Sequence, residues 1–360
     1  MFTSGDGSNG LAVVVDARSK LCKETNTVLD LSNWRRFLGK EEWNRTLKIA
    51  LRDYGTDVFA AKDLPALQGE VRACLSERKI ACAIVMQSPA IPTVRQTHTS
   101  FACLGPGGSP YKWSGTVWRV SANDSYVLAP ILNPSNYEDV YEHLIRRWFQ
   151  QAHAVARGTI TPMHWPHLIT QVGTEMAEGM EALLKTTQAI AVDIETNLAR
   201  TIITAIGFSD GTTSISVPWH SFAISGTNKK ERSLRNYPLG RAIENLARQV
   251  LKSLTPKILH NGAFDVYELG LHDIALRGFE YDTLLLHRVA YPQYRHGLQQ
   301  ACATEFCVEP WKNLWKAPSA VRGTGEDVWL SDPREMHIYN AKDSYATWQL
   351  FEHLRGKVGI

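Results

Sequence analysis

The chain has 360 residues, with 39 basic against 36 acidic side chains, a net charge of +3 and an ordinary share of hydrophobic residues, 44%. That length allows two domains with sizeable cores, and the near-neutral charge permits nucleic-acid binding without indicating it. No apolar run is long enough to span a bilayer, the opening MFTSGDGSNG lacks the basic-then-apolar order of a signal peptide, and the six cysteines form no C-x-x-C pair. Secretion, membrane insertion, a zinc ribbon and an iron–sulfur cluster are therefore not expected, and the protein is expected to be cytoplasmic with reduced thiols.

In chain order, residues 1–157 read as an accessory α/β domain of uncertain role. Its stretch CLGPGGSPYKW is glycine-rich but matches neither a P-loop nor a dinucleotide fingerprint, and reads as a plain loop. The segment IRRWFQQAHAVAR reads as a helix whose Arg146, Arg147 and Arg157 either touch phosphates or form a solvated face. RGTITPMHWPHLITQ (157–171) is the best connector, and a second domain is expected over 168–360. There TEMAEGMEALLKTTQ places Met176, Met180, Leu183 and Leu184 at helical spacing.

AIAVDIETNLARTIITAIGFSDG follows (189–211). On a strand Ile190, Val192 and Ile194 line one side while Asp193 and Glu195 share the other. Two like charges on one half-buried face persist only with a cation between them or a proton on one of them. TIITAIGFS and TSISVPW, joined at Asp210-Gly211, complete a three-stranded antiparallel meander over 189–218. A helix is expected over 238–253 with Ile243, Leu246, Val250 and Leu251 inward, then a short strand KILH (257–260), then mostly helices. Three antiparallel strands, a helix, a strand and further helices make the layout of a ribonuclease-H-like α/β fold, a mixed sheet with flanking helices.

Two more acidic sites follow. In ILHNGAFDVYELG a helix begins near Gly262 and places Asp265 in its first turn, where the helix dipole favours a carboxylate. In SDPREMHIYNAKDSYATWQLFEHL, Asp332 as N-cap, Pro333 and Glu335 mark a helix start, and Tyr339 and Asp343 lie one turn apart on one face. Asp282, before the apolar run TLLLHRV, reads as an N-cap rather than a further metal ligand, and His296 and His337 read as structural or solvent-exposed.

D-x-E on the first strand, N-x-x-x-D at a strand-to-helix junction and Y-x-x-x-D on a late helix resemble the three motifs of the DEDDy branch of 3′-5′ exonucleases. Connecting text such as HNGAFDVYELGLHDI and YNAKDSYATWQL is similar to the proofreading domain of family A, phage-type DNA polymerases; the likeness spans 168–357. The histidine branch would need His where Ile338 stands. The resemblance implies metal-dependent hydrolysis of phosphodiesters at 3′ ends with two Mg²⁺ or Mn²⁺ ions held by Asp193, Glu195, Asp265 and Asp343. Hard cations of this kind prefer carboxylate oxygens and water. Tyr339 would position the attacking water. It also nominates Thr196, Leu198, Asn261 and Phe264 as substrate contacts, with single-stranded or frayed DNA 3′ ends as the substrate and the cytoplasm of a bacterium or a phage-infected host as the setting.

Residues 116–158 are faintly similar to the C-terminal half of uracil-DNA-glycosylase-like modules. Asn133-Pro134-Ser135 would stand for an H-P-S loop, without its His, and no G-E-x-P-G-type motif precedes it. The chain ends soon after the third motif, so no polymerase domain is expected in it, and a separately encoded DNA polymerase is a candidate partner. An RNase-D-like exoribonuclease and a non-catalytic nucleic-acid-binding module are the alternatives.

Overall fold

The computed structural model describes residues 2–16, 35–51, 64–86, 104, 115–119, 126–128, 138–160, 162–197, 200–225, 228–311 and 333–360. Two compact units emerge, Met1–Met163 with Phe306–Pro310, and His164–Glu305 with Trp311–Ile360. Among the described residues no helix is long and apolar enough to cross a membrane. Leu198, Asp332, Asn133-Pro134-Ser135 and the glycine-rich stretch of residues 103–113, Leu104 apart, lie outside the described residues.

The first unit holds β1 (Phe2–Ser4), β2 (Leu11–Asp16), α1 (Arg35–Leu38), α2 (Lys40–Arg45), β3 (Leu47–Leu51), α3 (Leu64–Glu77), β4 (Cys82–Met86), β5 (Val117–Arg119), β6 (Tyr126–Leu128) and α4 (Glu138–Ala156). Its sheet runs β1-β3-β2-β4-β6-β5, with β3, β2, β4 and β6 mutually parallel and β1 and β5 antiparallel at the edges. Leu11, Ala12, Val13 and Val14 are all fully buried, the unbroken apolar run expected of a parallel strand covered on both faces. Helix α4 buries Trp148, Phe149 and Ala152 and leaves Arg146 exposed.

The second unit begins with β7 (Leu168–Ile169), α5 (Thr174–Lys185), β8 (Ile190–Thr196), β9 (Ile203–Ser209) and β10 (Ser214–Pro218). The hairpin β11 (His220–Ser225) and β12 (Asn228–Ser233), a 3₁₀ turn and α6 (Gly240–Lys252) come next. Then follow β13 (Lys257–Leu259), α7 (Gly262–Leu271), β14 (Phe279–Asp282), α8 (Thr283–Ala290), α9 (Leu298–Glu305) and α10 (Pro333–Val358). The sheet order is β14-β13-β8-β9-β10-β7. Strands β8, β9 and β10 pair antiparallel, whereas β13 joins β8, and β14 joins β13, in parallel. This is the expected mixed sheet, with the meander and the helix over 240–252 in place.

Strand alternation decides which helix meets which side chain. Ile190, Val192 and Ile194 enter one core with Met176, Met180 and Leu183 of α5 and Ile243, Val250 and Leu251 of α6. Ala191 points the other way and packs with Ile258 and with Phe351 of α10. Asp193 and Glu195 continue the Ala191 face, so the same alternation that buries the apolar residues aims both acids at α10. Each fully buried aliphatic side chain in that core stabilises the sheet by about 1.5–3 kcal/mol, which fixes the strand register and the acids with it.

Mostly helices follow β13, as expected, with one strand among them. Strand β14 adds an edge to the sheet there, and the hairpin β11–β12 and the two-residue β7 were not foreseen. Strand β7 is too short for a periodic pattern, β14 reads FEYD with its first two residues exposed, and β12 reads the polar NKKERS.

Candidate active site

Near its C-terminal end β8 leaves the shelter of β13, which pairs only with Ile190 and Ala191. The backbone N–H of Ile194 on that open edge donates instead to Asp265 Oδ1 at 3.1 Å. Helix α7 begins at Gly262, and Asp265 in its first turn thus reaches between the two acids of β8. Asp265 is 5% exposed; burial pushes its carboxyl up to about 8, with the charges of Asp282 and Asp343 adding to the rise and the Ile194 amide opposing it.

Across the sheet face, α10 brings up Tyr339 and Asp343, one turn apart. Asp193, Glu195 and Asp343 each place one carboxylate oxygen within 4.8 Å of the others. Asp343 is buried, Asp193, Glu195 and Tyr339 half-buried. Like charges so close require a counter-charge, and an all-oxygen donor set of this kind suits a hard divalent ion. The residues therefore fit Mg²⁺ or Mn²⁺. Asp265 stands beside this trio rather than within it.

Two buried side chains that sequence reasoning passed over hold the acids. Asn340 Nδ2 donates to Asp193 Oδ2 at 2.8 Å, and Trp311 Nε1 donates to Asp343 Oδ1. Trp311 is itself fixed by its backbone N–H to Gln299 Oε1 and by an edge-on contact with Trp165. Asn340 was legible as the residue beside Tyr339, but nothing in one sequence distinguishes a buried amide from a surface one. Trp311 lies 32 residues from Asp343 and carried no signal.

Of the nominated substrate positions, Thr196, Asn261 and Phe264 are among the described residues. Thr196 ends β8 at a register shift next to Glu195. Asn261 occupies the N-cap position of α7 in the left-handed region (φ 65°), makes no side-chain capping bond and is exposed. Phe264 is half-buried against the sheet core, and the Arg200 guanidinium lies 5.1 Å from its ring centre. Arg200, in the turn between β8 and β9, is exposed and was not nominated. Asp282 is the N-cap it was taken to be: it accepts from Leu284 N and Leu285 N of α8, and also from Asn261 N and Gly262 N at the start of α7. His337 is buried, not solvent-exposed, with burial lowering its imidazole to about 4.

A carboxylate trio on the open end of a ribonuclease-H-like sheet defines a nuclease of the DEDD type. The 3′-5′ exonuclease family matches residues 169–359, more than half of the chain, and the chain belongs to that family. No curated protein matches it. Among solved structures it is similar to the POL domain of Pol1 from M. smegmatis in complex with DNA primer-template and dNTP, at 15% identity, covering 54% of this chain and 28% of that one, TM-score 0.33. It is also similar to the catalytic core of RRP6 from Trypanosoma brucei, at 19% identity, covering 53% and 47%, TM-score 0.35. A third is RNase D of Escherichia coli, at 19% identity, covering 55% and 47%, TM-score 0.33. The chain spans less than half the length of each of these three.

Proposed function

We propose that the chain removes nucleotides from the 3′ ends of single-stranded or frayed DNA with two bound Mg²⁺ or Mn²⁺ ions. The observation that carries the reading is the convergence of Asp193, Glu195 and Asp343 to within 4.8 Å of one another. The likeness of the connecting segments to polymerase proofreading domains favours DNA over RNA.

Asp193, Glu195 and Asp343 would hold one ion, and Asp193 with Asp265 the other. Bound there, such ions lower the pKa of a water and neutralise charge on the leaving oxygen. The chain's own groups do the rest. Tyr339 orients the attacking water through its hydroxyl, one helical turn from Asp343. Phe264 and Asn261 lie where a terminal nucleotide would meet α7, the ring offering apolar surface and the cap an exposed amide. Arg200 supplies a cation beside Phe264 for a backbone phosphate. The burial of Asp343 lowers the local dielectric on that side of the site, which strengthens the contacts made there.

The first unit, 1–157 in the sequence reading, would act as an accessory module to this nuclease, and a separately encoded polymerase is the partner proposed for it. The test is digestion of 5′-labelled DNA and RNA oligonucleotides of identical sequence with Mn²⁺. A ladder shortening from the 3′ end, faster on DNA, supports the reading; preferential digestion of RNA makes the protein an RNase-D-like exoribonuclease instead.

A further inference from the structure

The metal ligand Asp193 does not choose its own orientation. Asn340, fully buried on α10, spans the gap between the sheet and the helix. Its Nδ2 donates to Asp193 Oδ2 at 2.8 Å, and its Oδ1 faces Ser216 Oγ at 2.7 Å on β10. Ser216 Oγ in turn lies 2.9 Å from His337 Nδ1, one turn earlier on α10. Every member of this chain is buried except Asp193, its end point.

Hydrogen-bond chemistry fixes the direction of the whole relay. An ionised carboxylate only accepts, so the Asn340 atom at Asp193 must be its amide nitrogen. The Asn340 carbonyl oxygen then faces Ser216, whose one hydroxyl proton must go to it. That leaves Ser216 to accept from His337, so His337 carries its proton on Nδ1. The donors therefore all point one way: His337 to Ser216, Ser216 to Asn340, Asn340 to Asp193. A hydrogen-bonded chain of one polarity strengthens each link in a low-dielectric interior.

The backbone is shaped for this approach. Gly207 on β9 pairs with Asp193, and a Cβ there would collide with Ser344 Oγ and lie 2.9 and 3.0 Å from the two amide atoms of Asn340. Ser214 Oγ donates to Ala341 O at 2.6 Å, tying the same turn of α10 to the sheet. The helix is thus seated on a glycine notch, with the Asn340 amide hydrogen-bonded to Asp193.

We propose that Asn340 is a positioning residue for the nuclease site, holding Asp193 Oδ2 so that its other oxygen is presented to metal, with Ser216 and His337 fixing the amide's orientation. This rests on the metal reading of Asp193, Glu195 and Asp343 given above. Partners that orient metal ligands in this way typically change metal affinity or activity about 10- to 100-fold when removed.

The experiment uses the full chain and two variants, Asn340→Leu, close in volume without polar atoms, and Ser216→Ala. Mn²⁺ binding is measured by calorimetry, the metal-free melting temperature is recorded in parallel, and kcat and KM are measured on a DNA oligonucleotide at saturating Mn²⁺. The expected result is Mn²⁺ affinity weaker by about 10-fold or more in Asn340→Leu and by about 3-fold or more in Ser216→Ala. KM for DNA should be unchanged while kcat falls, a split that general loosening of the fold would not give. A parent that binds Mn²⁺ and variants that bind it equally well overturn the inference while leaving the metal site standing. Should Asn340→Leu fail to fold, Ser216→Ala decides by the same comparison. A parent that binds no Mn²⁺ overturns the metal reading itself and the inference with it.

Discussion

Gly207→Ala separates a glycine that serves the site from one that is merely tolerated. In the interior of a strand Gly is worse than Ala by about 0.5–1 kcal/mol, so a glycine without a structural task should be improved by the substitution. Here the added Cβ meets Ser344 Oγ and both amide atoms of Asn340. Asn340 cannot retreat, being held between Ser216 and Asp193 at 2.7 and 2.8 Å. Ser344 can turn away, but gives up its hydrogen bond to Asn340 O (3.1 Å). Overpacking costs about 1–3 kcal/mol and the lost bond about 0.5–1.5 kcal/mol, and the Gly→Ala gain of about 0.5–1 kcal/mol offsets part of this, so a net loss of about 0.5–4 kcal/mol is expected. Urea unfolding at neutral pH measures it. Gly207→Ala combined with Ser344→Ala should recover about 1 kcal/mol, because the severest collision is removed, and the cycle isolates that contact. Stability equal to or above the parent's for Gly207→Ala would refute the close seating of α10 on β9.

Three further outcomes follow from the same geometry. Asp282→Ala should cost about 2–4 kcal/mol in urea unfolding, since one carboxylate caps α8 and also serves two amides at the start of α7; a loss below about 0.5 kcal/mol would show that those amides have other partners. His337 has a folded pKa of about 4 against 6.5 when unfolded, so its contribution is present above pH 6.5 and lost as pH falls toward 4. Relative to His337→Gln, the parent should lose about 2 kcal/mol between pH 7 and pH 5, and an NMR titration should show a neutral Nδ1–H imidazole at pH 5.5; an Nε2–H tautomer would contradict the relay, and a charged ring there would contradict the lowered pKa. Arg200→Ala should raise KM for oligonucleotides and lower the slope of log KM against log salt by about 0.7, with kcat retained; an unchanged salt slope would remove Arg200 from the phosphate path.

What the sequence disclosed depended on how local the signal was. The meander, α6 and the start of α7 announce themselves through periodicity and turn residues, such as Asp210, whose Oδ1 accepts from Thr212 N and Thr213 N before Gly211 at φ 87°. Asp193 and Glu195 stood out because two charges interrupt an apolar strand, and Asp343 because it follows a tyrosine by one turn. The side chains that hold those acids were hidden: Asn340 acts through a cross-sheet approach permitted by Gly207, and Trp311 reaches Asp343 from a distant segment. Asp265 illustrates a middle case, since its place at a helix start was readable whereas its bond to Ile194 N depends on β13 being three residues long.

The central claim is that the carboxylates of β8 and α10 carry out hydrolysis from a 3′ end. The most direct measurement compares parent and Asp193→Ala/Glu195→Ala on a 5′-labelled single-stranded DNA oligonucleotide, with Mn²⁺ and with EDTA, alongside melting curves of both proteins. The expected result is stepwise shortening from the 3′ end by the parent with Mn²⁺ alone. The double variant should stay folded, because losing the acids also relieves their mutual repulsion, should gain no thermal stability from Mn²⁺, and should leave the oligonucleotide intact. A folded double variant that digests the oligonucleotide at near the parental rate, or a parent that works equally well in EDTA, would contradict the account.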